Sequence, residues 1–327
     1  MLGRSKKAVT VAVALFIIVV TIVGCGPKQA ANSKASERGE GYLTITDDAG
    51  RKVVLAKKPE KIVALSTSYI ELLYAVGGKS VGKPVSRNGK IPAEAASLPE
   101  IGQVTNINIE KLIALQPDFV IGYLGIHEKL VPILENSGIP IILLKMKTYD
   151  EVQAKLNLFG SIAGTQLLAQ KEVQELTHKI ALVTDKLPAG QAKKILILHA
   201  TARSVTVELE NSIAGNVAGM LKLKNIAAGS KPLEKEPDAT PYSMEKIIEA
   251  DPDIVVVTTM GELTDIQRRI KDDVESNPAW SGLRAVKNKQ IYFLPSELFQ
   301  LNPGIYYHEA VEYMAKLVYP EVYGHVR

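Results

Sequence analysis

Apolar residues along this 327-residue chain fall into two alternating patterns. Short, largely β-branched runs (Lys61 to Leu65, Pro140 to Leu144, Lys194 to Leu198 and Gln290 to Leu294) read as buried strands. Between them, apolar positions recur at helical spacing in Tyr69 to Val76, His127 to Asn136, Leu263 to Glu275 and Tyr306 to Val318, and Gly77-Gly78 and Gly138 supply stops. Tyr42 to Leu55 alternates about Asp48-Ala49-Gly50, which predicts a hairpin, and a further strand is expected near Ser80 to Pro84. Strands alternating with helices at this spacing predict an α/β fold with mainly parallel sheets. From Tyr149 to Lys186 no strand pattern appears. Leu156, Phe159 and Ile162, then Leu168, Val173, Leu176, Ile180 and Val183, predict two helices broken at Gly160 to Thr165. The second is read as a rigid connector. The expected organisation is an N-terminal lobe over 42–148, connecting helices over 149–189 and a C-terminal lobe over 190–327.

One segment is written twice. NIEKLIALQPDFVIG begins at Asn108 and SMEKIIEADPDIVVV at Ser243, so Glu110 pairs with Glu245, Lys111 with Lys246, Ile113 with Ile248, and Pro117-Asp118 with Pro252-Asp253, always 135 residues apart. That period is too long for a solenoid and fits two similar lobes. Each copy places a glutamate at the start of a short helix that leads into a buried strand. A helix start favours an acid by itself. It does not require the same acid at equivalent places in two otherwise different lobes, and two exposed carboxylates suit a partner carrying two basic pockets.

Composition narrows the setting. With 46% apolar and 23% charged residues the chain is ordinary globular protein. Of the formal charge of +4, three come from Arg4, Lys6 and Lys7, so the remainder is close to neutral and offers no basic field for nucleic acid. After those cations come an apolar stretch from Ala8 to Val23 and then Gly24-Cys25, the layout of an export signal over 1–25. Ile22-Val23-Gly24-Cys25 resembles a bacterial lipobox, which implies cleavage before Cys25 and its lipidation, with the mature chain held at the extracytoplasmic face of the cell membrane. Cys25 is the only cysteine, so the globular part has no internal disulfide. The polar, aperiodic 26–41 reads as a flexible tether.

The chain carries no HExxH, GxxxxGK[ST] or GxGxxG, and catalysis has little footing. Ligands in parallel sheets bind beyond the carboxyl ends of the strands. The candidates there are Arg87 and Arg203, for carboxylates of a ligand, and His127 and His199, as metal donors. Tyr69, Phe299 and Tyr306 are expected to line the cleft and Trp280 to belong to the core.

The segments ITDDAGRKVVLAKKPEKIVALSTSYIELLYAVG, IEKLIALQPDFVIG and NPAWSGLRAVKNKQIYFLP resemble the iron-chelate, haem and cobalamin class of substrate-binding lipoproteins of bacterial ABC importers. The resemblance runs from about Ile45 to Pro320. It implies two Rossmann-like lobes joined by one long rigid helix, little hinge closure, and a ligand held between the lobes. It also implies that Glu110 and Glu245 contact arginines of an ABC permease dimer, that the protein acts as a monomer without a resident cofactor, and that the cargo is an iron(III)-siderophore or a tetrapyrrole. Tyr123 follows the strand of the first repeat copy, where a cobalamin-binding relative has a tryptophan, and the resemblance implies that it stacks on a flat ligand. PVSRNGKIPAEAASLPEIGQ and KILIL look closest to haem-binding lipoproteins that hold iron by a methionine and a histidine. Thr105 stands where that methionine is expected and Met260 where the histidine is. The alternatives are a haem- or metal-processing enzyme, or a surface sensor, on the same fold.

Overall fold

The computed structural model describes residues 41–85, 90–190, 192–261, 263–300 and 303–326. Cys25, with its signal and tether, and Arg87 lie outside the described residues.

The chain opens with the antiparallel hairpin β1 (Leu43–Thr46) and β2 (Lys52–Leu55), whose turn uses a left-handed Gly50 (φ 77°). Its polar anchor is Asp47, which accepts from the backbone N–H groups of Ala49, Arg51 and Leu143. Burial works to raise the Asp47 pKa, but these hydrogen bonds and the Arg51 guanidinium outweigh it and hold the carboxyl below its ordinary range. The first lobe continues through β3 (Ile62–Ala64), α1 (Thr67–Ala75), β4 (Lys83–Val85), β5 (Glu100–Gln103), β6 (Asn106–Ile107), α2 (Ile109–Ala114), β7 (Phe119–Tyr123), α3 (Val131–Asn136) and β8 (Ile141–Leu144). β3, β7 and β8 are parallel, and a parallel bridge from Ile62 to Ser80 joins β3 to the chain entering β4.

Two helices follow, α4 (Tyr149–Ala163) and α5 (Gln166–Thr184). Thr148 and Glu151 form a capping box at the start of α4, and Gly164 in the left-handed conformation (φ 69°) ends it. The second lobe holds β9 (Lys194–Thr201), β10 (Val205–Glu208), α6 (Ile213–Met220), β11 (Lys224–Asn225), β12 (Ala239–Pro241), α7 (Met244–Ala250), β13 (Ile254–Met260), α8 (Leu263–Ile270), α9 (Arg284–Lys287), β14 (Ile291–Phe293), α10 (Ser296–Phe299) and α11 (Tyr307–Val318). β11, β9, β13 and β14 are parallel neighbours, which matches the order found in the first lobe. β10 and β12 add antiparallel strands that the hydrophobic pattern did not predict. The small-residue segment around Gly215 is helix α6, and a Cβ on Gly215 would fall 1.9 Å from the Leu209 carbonyl oxygen, so only glycine lets this helix sit so close.

Strand residues alternate strictly between two faces. Ile62, Phe119, Ile121 and Ile142 in the first lobe and Ile195, Ile197, Ile254 and Val256 in the second belong to one continuous apolar cluster built on α1, α4, α5, α6 and α11. Val63, Val120 and Ile141 face a separate outer cluster of the first lobe, and Leu196, Leu198, Val255 and Val257 that of the second, which includes Trp280. The two sheets therefore share a single central helical layer. That shared core, rather than the α4–α5 connection alone, fixes one lobe against the other.

Candidate functional site

Both repeat copies fold alike. In α2 and α7 the glutamates Glu110 and Glu245 occupy the first turn and are exposed, while Leu112 and Ile247, two positions on, are buried. Ile113 and Ile248, three positions after each glutamate, are 36% and 44% exposed. Gln116 (φ 50°) and Asp251 (φ 44°) turn the chain through the left-handed region at equivalent places. Next, Asp118 accepts from the backbone N–H of Lys61 at 2.9 Å, and Asp253 accepts from that of Lys194 at 2.8 Å. Each aspartate thus clamps the start of the neighbouring parallel strand. The second half of the repeat is structural, whereas the glutamates form no ion pair or side-chain hydrogen bond among the described residues.

The carboxyl ends of the strands differ. Beyond β8, Lys147 reaches across to pair with Asp238 of the second lobe, in a cleft of about 270 Å³ that also has His199, Glu208, Met260 and Phe299 in its walls. Burial opposes the Lys147 charge, but the Asp238 carboxylate prevails and raises the ammonium pKa. Near this pair the lobes are tied again. Asn216 of α6 accepts from the Tyr149 backbone N–H at 3.0 Å and from the Tyr307 hydroxyl at 2.7 Å.

The wall from the second lobe is a polar relay. His199 Nδ1 lies 2.9 Å from Thr258 Oγ1 and 3.5 Å from Glu208 Oε1, and the Thr258 hydroxyl donates to Glu208. Thr258 pairs with His199 in the sheet register and Met260 with Thr201, so His199, Thr258 and Met260 share one face of the sheet. Met260 is 51% exposed.

Several expected ligand contacts lie elsewhere. Tyr69 is fully buried, donates its hydroxyl to the Leu144 carbonyl at 2.6 Å and packs against Phe159, so it supports the core and does not line the cleft. Tyr123 is half-buried and stacks on Tyr69 with centroids 5.8 Å apart, which uses one ring face internally. His127 is 2% exposed, with Nδ1 accepting from the Tyr123 N–H at 2.8 Å and Nε2 donating to the Val104 carbonyl at 2.7 Å. With both nitrogens occupied it is a structural histidine, and burial lowers its pKa. Tyr306 borders a separate depression with Lys179, His308 and Glu309, under the Lys90 ammonium at 4.1 Å from its ring centroid. Arg203 is exposed on the β9–β10 turn between Thr201 and Ser204, which line the cleft, and Phe299 is 3% exposed and forms part of the cleft wall. His199 and Met260 are brought together. Sequence reasoning missed Glu208 and Thr258, whose signals were the polar end of the VTVE alternation and the threonine that directly follows the second repeat copy.

The family model described as periplasmic binding protein matches residues 62–298, which takes in the parallel strands of both lobes, the helical layer apart from α11, and both repeat copies. The chain belongs to that family. Members are binding proteins of transporters, and this periplasmic binding protein is 25% identical to an ABC transporter substrate-binding lipoprotein of Bacillus subtilis, YvrC, over 97% of its own length and 99% of the relative's. It is 24% identical to the Fe(3+)-citrate-binding protein YfmC of the same organism, over 98% of each chain. Among solved structures, Staphylococcus aureus IsdE complexed with heme superimposes with a TM-score of 0.69 at 20% identity, covering 79% of this chain and 98% of that one, which bears out the two-lobed fold. Among the described residues no helix is long and apolar enough to cross a membrane.

Proposed function

We propose that this chain is a lipid-anchored extracytoplasmic binding protein that holds an iron(III)-siderophore or a tetrapyrrole between its lobes and delivers it to an ABC permease dimer. Cys25 is the anchor, through the lipobox ending at that residue, and the lipoprotein relative supports this. Glu110 and Glu245 are the permease contacts, one per lobe. His199, Met260, Phe299 and Arg203 belong to the ligand side, and Tyr123 stands at the end of β7. Arg87 keeps the carboxylate-pairing role given to it by sequence. Relatives named for ferric citrate and haem support the ligand class.

The observation that carries the reading is the repeated unit, which presents the same exposed glutamate twice, each with no ion pair or side-chain hydrogen bond among the described residues. Its test is uptake of the bound chelate into vesicles carrying the cognate permease. Glu110→Ala combined with Glu245→Ala is expected to lower uptake at least about tenfold, the loss of two charge-assisted contacts of order 1 kcal/mol each or more, while ligand affinity stays at the wild-type value. Wild-type uptake by the double variant would refute the assignment.

A further inference from the structure

We infer that the two docking faces are unequal: a groove beside α2 in the first lobe receives a large apolar side chain of the permease, next to the basic group that meets Glu110, and the second lobe has no matching seat. This inference rests on the reading that Glu110 and Glu245 meet the permease. The groove, of about 570 Å³, lies between the turn after α2, the segment from Ser137 to Pro140 that enters β8, and the end of β2. Of its apolar residues, Leu55 and Ile139 are buried, while Val54 and Ile113 are 56% and 36% exposed. Lys57 and Asp118 are its charged residues, and the Asp118 carboxylate already accepts from the Glu60 and Lys61 N–H groups at 2.9 Å each. The surface left for a partner is largely apolar. Pro59, Pro117 and Pro140 stiffen the walls, so little ordering opposes insertion.

In the second lobe the same two segments are bound together. The Val255 N–H donates to the Gln290 carbonyl as the Val120 N–H donates to that of Pro140, which fixes the correspondence between the approaches to β14 and β8. Arg284, at the start of α9, then closes the gap to the turn after α7. Its backbone N–H and Nε donate to the Asp251 carboxylate at 3.0 and 2.6 Å, Nη2 donates to the Asp251 carbonyl at 2.7 Å, and Nη1 lies 2.7 Å from Asp253 Oδ1. The Ala285 N–H adds a bond to the Pro252 carbonyl. Gln116, the counterpart of Asp251, makes no such pair among the described residues and borders the groove instead. Ile113 links the groove to the docking face. It follows Glu110 by three positions on α2, which puts both on one helix face, and it is also a wall of the groove. A permease element that brings a basic group to Glu110 therefore reaches the mouth of the groove, and an apolar residue within a helical turn of that group enters it. Large side chains seated in preformed pockets, with charges kept to the rim, carry much of the energy of an interface. At Ile248 the same element meets a surface closed by Arg284.

The test is the dissociation constant of the full chain for the purified permease in nanodiscs, with thermal melting as a folding control. Val54→Asp places a charge in the groove at an exposed position and is expected to weaken binding about ten- to thirtyfold. Gln116→Asp with Ser137→Arg, which copies the second lobe's ion pair across the groove, should do the same. Val322→Asp, an equal change at an exposed valine of the C-terminal turn Pro320–Tyr323, should stay within about twofold of wild type. A benzophenone side chain at position 54 should cross-link to a permease subunit. Wild-type affinity in both groove variants, with binding lost in the Glu110→Ala and Glu245→Ala double variant, would overturn the groove and leave the glutamate contacts standing. Wild-type affinity in all three would overturn both. A concentration-dependent dimer of this chain that Val54→Asp abolishes, with permease affinity unchanged, would assign the groove to a second copy and overturn the inference.

Discussion

The two lobes are nearly the same molecule at one place and different molecules at another. In the repeated helix–turn–strand unit they agree residue by residue: an exposed glutamate, a buried leucine or isoleucine, an exposed isoleucine, a left-handed turn residue and a clamping aspartate. At the carboxyl ends of their strands the first lobe offers Lys147 and an inward-stacked Tyr123, while the second offers His199, Thr258, Glu208 and Met260. A partner that meets both lobes in the same way needs the same surface twice. A ligand held between the lobes meets two different walls, and nothing requires those walls to match.

This comparison can be broken at the clamps, where the largest effects are expected. Asp118→Ala removes the acceptor for the Glu60 and Lys61 N–H groups, and Asp253→Ala that for Lys194. Each should destabilise the fold by about 1–3 kcal/mol in denaturant titration, by similar amounts. A loss confined to one copy would show that the repeat is not structurally equivalent.

A pH experiment sharpens the claim that the lobes share one core. Glu71 on α1 is 6% exposed, and burial lifts its pKa to about 8, with the Lys90 ammonium pulling it down and Glu309 pushing it up. Its folded pKa lies above the unfolded carboxylate value of about 4.3. The group is neutral in both states well below that value and costs stability increasingly as pH rises from there toward 8. Glu71→Gln should therefore raise the melting temperature at pH 8 and change it little at pH 4. An equal shift at both pH values would contradict the burial argument. The smallest effect is expected at the surface. Ile113→Ser with Ile248→Ser should weaken permease affinity a few-fold, about 1 kcal/mol or less of apolar contact, with no change in ligand affinity.

Much of the fold was legible in the sequence because buried parallel strands are continuous apolar runs and the connecting helices carry a clear period. The short strands β10, β11 and β12 were not, since VTVE, KN and ATP are too brief or too polar to announce themselves. The two glutamates proposed as permease contacts were legible for a different reason, which is that duplication compares the chain with itself. The ligand site was read less well. Sequence placed Tyr69 and His127 near the right strand ends, but whether a side chain faces the cleft or the core depends on the shared helical layer. For His127 it depends on a backbone carbonyl at Val104 that no local pattern reveals. The partners of His199 come from two other strands, so the relay appears only when the sheet is assembled.

The central claim is that two equivalent glutamates dock the chain while the cleft chooses its cargo. It is tested most directly by the dissociation constant for the purified permease, measured for the wild type, for Glu110→Ala, for Glu245→Ala and for the double variant. The account predicts that each single change weakens binding by a comparable factor and that the double change weakens it by about the product of the two, since the sites sit on separate lobes and share no contacts. Ligand affinity should be constant across all four proteins. A permease affinity that depends on only one of the glutamates, or on neither, would contradict it.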